Sequence, residues 1–254
     1  MQDETLAADI AAVQHARVYF GHQSVGNNIL AGISQLYART PGAPAFTAWH
    51  ETDVLPESYF AEERIGENTH PDLKCSAFVR ALDRFANRPP DVALMKFCYV
   101  DFGAGKSAEE IFALYESTID TLRKKFPRVT FIHVTAPLTS RRTDLKGVIR
   151  RLLGRDSFES DNAERSRFNQ LLARRFSDEP IFDLARIEST RPDGTREEFS
   201  FNGRTCDALV PEYTDDGGHL NETARELAAR ELLRVLAQTI RHQKEKSSLA
   251  LLKK

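Results

Sequence analysis

Cysteine is scarce in this 254-residue chain: there are three, Cys75, Cys98 and Cys206, far apart in sequence. An odd number at such spacing supplies neither a disulfide framework nor a zinc-ligand pattern. No apolar run approaches the roughly 20 residues that a membrane-spanning helix needs. Charge of one sign is not in excess either. The 35 Lys+Arg against 37 Asp+Glu leave a net charge of −2, which argues against a broadly basic nucleic-acid-binding surface. The opening segment, MQDETLAADI, has no basic n-region or apolar h-region of an export signal. As written it fits a cytoplasmic chain, or a periplasmic or secreted one whose signal has been removed. Internal repeats, low-complexity tracts and Gly/Ser/Pro-rich linkers are missing, so residues 1–254 are expected to form one domain, with a core over about 17–242.

What is present is an ordinary globular balance, 41% hydrophobic and 28% charged. A chain of this size buries about three quarters of its open-chain surface, enough for one large core. Short apolar runs alternate with amphipathic stretches. Strands are predicted at 17–22, 43–50, 91–100, 129–137 and in PIFDLA. Helices are predicted at 5–14, after Ser24, and at 72–87, 108–126, 143–153, 160–176 and 221–242. The segment 191–214 reads as a loop or hairpin, and 243–254 as a frayed tail. Such alternation implies a mainly parallel sheet covered on both faces, with chemistry collected at the carboxyl ends of the strands.

Four motifs fall where that rule places them. GHQSVG (21–26) follows the first strand and opens a helix, so Ser24 lies beside helix N-terminal amides that would stabilise an oxyanion. Serving simply as the helix N-cap is the competing role for Ser24. DDGGHLNETA (215–224) puts Asp216 three residues before His219, which lets a carboxylate hold one imidazole nitrogen while the other faces a nucleophile. IGENTHPD (65–72) offers the Gly66 amide and the Asn68 side chain, or else an ordinary turn. VDFGAGKSAEE (100–110) has the layout of a phosphate-binding loop, but Val100 stands where the pattern needs its first glycine, and Ser107 with Glu110 makes a capping box.

Taken jointly, the serine after the first strand, the glycine loop after the second, the polar end of the third and the closing Asp-x-x-His resemble the SGNH/GDSL hydrolase superfamily over about 17–237. The resemblance implies a three-layer α/β/α sandwich around a mainly parallel, flavodoxin-like sheet, and an esterase needing no cofactor or metal. It implies Ser24 as nucleophile, with Asp216 and His219 completing a triad, and Ser24 and Gly66 amides in the oxyanion hole. The first block departs from Gly-Asp-Ser as His22-Gln23-Ser24. The third, Cys98-Tyr99-Val100-Asp101, keeps only the last aspartate of Gly-x-Asn-Asp, so the oxyanion asparagine is missing and Asn68 or Tyr99 is the candidate replacement.

His22, Tyr99 and Asp101 are candidate pocket residues, His22 alternatively a buried, hydrogen-bonded histidine. Lys96 and Asp101 are expected to pair with each other or to line the pocket. The basic residues Arg141, Arg142, Lys146, Arg150, Arg151 and Arg155 are expected to form a solvated helix face, or else to meet an anionic glycan or lipid head. The expected reaction removes acyl or acetyl groups from a carbohydrate or small ester. The alternatives are a catalytically weak scaffold of the same fold that binds a glycan or protein partner, and a nucleotide binder using Gly105–Ser107.

Overall fold

A computed structural model of the chain describes residues 2–49, 55–103, 105–141 and 158–252. Helix α1 (Gln2–Gln14) leads into β1 (Arg17–His22), α2 (Ser24–Arg39), β2 (Tyr59–Arg64), α3 (Pro71–Arg84) and β3 (Val92–Met95). After a 3₁₀ turn at Tyr99–Asp101 come α4 (Ala108–Lys125), β4 (Thr130–Val134), α5 (Phe158–Arg175), β5 (Ile181–Phe182) and the short α6 (Leu184–Ser189). The chain closes with β6 (Glu198–Phe201), β7 (Arg204–Asp207), a second 3₁₀ turn at Pro211–Tyr213, and α7 (Glu222–Leu252).

Strands β1 to β5 form one sheet in the order β2-β1-β3-β4-β5, and every pairing is parallel. Successive side chains along a strand point to opposite faces. Val18 and Phe20 therefore join one core with α1, α2 and α7, while Tyr19 joins a second core with α3, α4 and α5. This is the expected three-layer α/β/α sandwich with a flavodoxin-like sheet. The order reverses at β1, whose neighbours are β2 and β3, and the crevice at the carboxyl ends of such strands is where ligands bind in open α/β sheets.

Several expectations need correction. Of the strand expected at 43–50, the described residues 43–49 form none; Trp49 makes only an isolated bridge to Ala61. The strand beside β1 is instead Tyr59–Arg64, whose sequence YFAEER is half polar because it lies at the sheet edge. The tail expected to be frayed is helical over its described residues, since α7 continues to Leu252, and Gln243 bonds to the Asp91 and Arg128 carbonyls. The predicted hairpin is β6–β7, turning at Asn202 and Gly203, both with positive φ. The predicted helix 143–153 and the basic residues beyond Arg141 lie outside the described residues. Arg141 itself pairs with Glu159 and sits over the Phe158 ring.

Candidate active site

The end of β1 delivers the chain into α2 with no intervening loop. Gln23 is the N-cap, in extended conformation with no side-chain cap bond, and Ser24 is the first helical residue. This corrects the capping role for Ser24. Ser24 is half-buried, and its hydroxyl has no hydrogen-bond partner among the described residues. The Gln23 side chain turns across instead, donating from Nε2 to the carbonyls of Ile65 and Gly66 at 2.9 Å each. Gln23, which stands where the Gly-Asp-Ser pattern has aspartate, thus ties the loop after β2 to the residue next to Ser24.

That loop is tightly built. Gly66 has φ +58°, and a Cβ there would lie 2.5 Å from the Lys74 backbone nitrogen in α3. Only glycine accommodates both the left-handed backbone and this approach. The N–H groups of Ser24 and Gly66 find no acceptor among the described residues. Thr69 follows at φ 69°, a conformation that costs a β-branched residue about 1–2 kcal/mol. Its N–H donates to Asp101 Oδ1 at 2.8 Å, and Lys106 Nζ donates to its carbonyl.

Asp216 and His219 are brought together as their spacing predicts. His219 Nδ1 lies 2.6 Å from Asp216 Oδ2, and Asp216 Oδ1 accepts the N–H groups of His219 (2.8 Å) and Gly218 (2.9 Å). Desolvation opposes ionisation of Asp216, but these bonds and the His219 ring outweigh it and hold its carboxyl well below the usual range. An ionised Asp216 only accepts, so Nδ1 of His219 donates to it and Nε2 is left outside this bond. The Asn28 Oδ1 accepts the N–H of Leu220 at 3.1 Å. Asn28 is one helical turn after Ser24, and Leu220 follows His219, so this bond fixes the histidine loop against the face of α2 that bears Ser24. Ser24 and His219 do not hydrogen-bond to each other in this structure. Catalytic hydrogen bonds are often long before substrate binds and tighten in the complex.

Tyr99 packs against this pair. Its ring meets that of His219 edge-on at 5.7 Å between centroids, and a Cβ on Gly218 would lie 2.8 Å from Tyr99 Cζ. Burial, with the nearby Asp216 charge, raises the Tyr99 pKa, so the phenol stays protonated. Behind it, Arg165 donates from Nε to the Tyr99 carbonyl (3.0 Å) and from Nη1 to Thr139 Oγ1 (3.0 Å). Ser140 N–H in turn donates to the Gly217 carbonyl, so the ends of β3 and β4 both support the histidine loop.

Two candidate pocket residues lie beneath the surface, which takes them off any pocket wall. His22 is fully buried, with Nε2 2.7 Å from Glu62 Oε2 and Nδ1 2.9 Å from the Gln23 carbonyl. The buried alternative for His22 is therefore the correct one. Asp101 is also buried and pairs with Lys74 Nζ at 2.6 Å, not with Lys96. Lys96 donates to the Phe97 carbonyl, and burial pushes its pKa down. The burial of Lys74 was not legible: its position on α3 is apolar-facing, and nothing in the sequence pairs it with Asp101. The phosphate-loop look-alike spends its side chains internally, Lys106 on Thr69 and Ser107 on the α4 capping box with Glu110.

Among the described residues, no group of three or more His, Cys, Asp or Glu side chains is arranged to hold a metal ion, and no helix is long and apolar enough to cross a membrane. Cavities of about 830, 550 and 330 Å³ are lined by residues other than those of this site.

No protein-family profile matches the chain, and no curated protein does. Solved structures do match over most of its length. One is a Bacteroides fragilis protein provisionally assigned as an acylhydrolase, at 12% identity, TM-score 0.55, with 89% of this chain and 88% of that one covered. A serine-to-alanine mutant of an acetyl esterase, solved with acetate ion, matches at 14% identity and TM-score 0.54, covering 89% and 99%. An acetyl xylan esterase matches at 17% identity and TM-score 0.50, covering 86% and 98%. With a parallel sheet ordered β2-β1-β3-β4-β5 between two helical layers, the chain shares the fold of these acylhydrolase and esterase structures, the three-layer sandwich that the resemblance to the SGNH/GDSL hydrolases implied.

Proposed function

We propose that the protein is a serine ester hydrolase that removes acyl or acetyl groups from a carbohydrate or small ester. One observation carries this reading. The Asp216–His219 pair, with Nε2 unengaged, is held by the Asn28–Leu220 bond against the helix whose first residue is Ser24. The Ser24 oxygen attacks the ester carbonyl carbon while its proton passes to Nε2 of His219, and the carbonyl electron pair moves onto oxygen. Asp216 steadies the imidazolium. The N–H groups of Ser24 and Gly66, with the Asn68 amide, receive the oxyanion. Collapse expels the alcohol, which leaves with the proton from His219, and water repeats the sequence on the acyl-serine. Tyr99, against His219, borders the acyl position. The acetyl esterase and acetyl xylan esterase among the structural matches support the choice of a small acyl group on a sugar or simple alcohol.

A fluorophosphonate probe and p-nitrophenyl acetate test this directly. Labelling at Ser24 and hydrolysis, both lost in Ser24→Ala and His219→Ala, are the expected results. An unlabelled, inactive wild type removes the proposal. The second reading, a binding scaffold of the same fold, draws on the lack of a hydrogen bond between Ser24 and His219, and that negative outcome would favour it.

A further inference from the structure

The third block lacks the asparagine that its relatives' motif would supply, and the buried groups behind that gap are unusual. Lys74 and Asp101 form an ion pair with both side chains fully buried. Asp101 is held on three sides: Lys74 Nζ at 2.6 Å, the Cys98 N–H at 2.7 Å and the Thr69 N–H at 2.8 Å. It therefore joins the 3₁₀ turn after β3 to the loop after β2. The second contact of Lys74 Nζ is Asn68 Oδ1, at 3.2 Å.

This contact decides which way the Asn68 amide faces. An ammonium only donates, so the atom turned toward Lys74 must be the oxygen, and Nδ2 must point away. Nδ2 has no partner among the described residues. Asn68 lies two residues past Gly66, whose own N–H has no acceptor among the described residues and whose carbonyl Gln23 pins beside Ser24. The backbone shows the same constraint. Thr69 keeps a left-handed φ of 69° while its N–H is tied to Asp101 and its carbonyl to Lys106. Strained backbone of this kind persists only where surrounding contacts over-determine it, and it clusters at functional sites.

We infer that Lys74 and Asp101 are positioning residues that lock the Asn68 amide as the third oxyanion donor, in place of the asparagine missing from Cys98-Tyr99-Val100-Asp101. The inference rests on the ester-hydrolase reading. A donor from the loop after β2 replaces one from the loop after β3, and a buried charge pair supplies the orientation. The Lys106 of the GKS segment belongs to the same device, bracing Thr69.

Kinetics on p-nitrophenyl acetate test it. Asn68→Asp keeps an acceptor for Lys74 but removes the donor, and should lower kcat about 100-fold, as expected for one oxyanion donor, with KM little changed and the melting temperature preserved. Lys74→Met should lower kcat by a similar factor, and Lys74→Met/Asn68→Ala should be no slower than Asn68→Ala alone. A purely structural lysine would instead slow both backgrounds equally. Should Lys74→Met not fold, the near-isosteric Asp101→Asn takes its place in the cycle. Wild-type kcat in Asn68→Asp, or effects that multiply in the double variant, overturns the inference while Ser24-dependent hydrolysis stands. Absence of Ser24-dependent hydrolysis in the wild type overturns the parent reading, and this one with it.

Discussion

Replacing Gly66 by alanine tests the architecture of the candidate oxyanion loop, with Gly42 as the matched control. Both glycines have positive φ, +58° and +78°. They differ in surroundings. A Cβ on Gly42 meets nothing within 4 Å, whereas one on Gly66 would lie 2.5 Å from Lys74 N and 2.7 Å from Leu73 C and Lys74 Cα. These are backbone atoms of a packed helix and cannot rotate aside. Gly42→Ala therefore carries only the left-handed penalty, about 1.5 kcal/mol. Gly66→Ala adds overpacking of about 2 kcal/mol, for a total of about 3.5 kcal/mol. The unfolded-state gain from alanine is common to both and cancels in the difference. For a chain of this size the two variants should melt roughly 4 °C and roughly 10 °C below wild type. The loop must also shift to relieve the contact, taking the Gly66 N–H with it, so Gly66→Ala should lose about 100-fold or more in kcat on p-nitrophenyl acetate. Gly42→Ala should keep full activity. Thermal melts by circular dichroism, paired with the ester assay, read both quantities. Equal melting temperatures for the two variants, or a fully active Gly66→Ala, would refute the packing argument.

The remaining predictions separate activity from stability. Gly218→Ala places a Cβ against the far end of the Tyr99 ring, which can swing away. It should lower kcat through displaced Tyr99 and His219 packing while shifting the melting temperature little, as read by the same two assays. His133 is buried, stacked on Phe176 at 3.7 Å and bonded to Tyr115 Oη. Burial depresses its pKa from 6.5 to about 4. The unfolded chain therefore binds the extra proton between these values, and stability present above pH 6.5 is lost as pH falls through 4. The loss amounts to about 3 kcal/mol. Urea denaturation across this window should show a flatter profile for His133→Gln; an unchanged slope counts against the assignment.

Much of the site was legible because its chemistry is local. Asp216 and His219 are three residues apart, so their bond follows from a single loop. Ser24 follows a short buried strand, which composition marks clearly. The strand β2 was missed because an edge strand with a charged half, YFAEER, shows weak apolar patterning. The segment expected at 43–50 carried more hydrophobic signal, but Phe46 packs on Tyr37 and Phe60 and Trp49 makes only one isolated bridge.

The sequence by itself determined the alternation that makes a parallel sheet, the serine at its first crevice and the carboxylate–imidazole pair at its last loop. Each is set by neighbours a few residues apart. Only the tertiary structure decided that Asp101 meets Lys74, 27 residues earlier, and that Asn28 meets Leu220, 192 residues later. The scarcity of cysteine and the balance of charge left those partnerships open. They arise because packing the layers together forces each buried charge and each free donor to find its complement, wherever in the chain it lies.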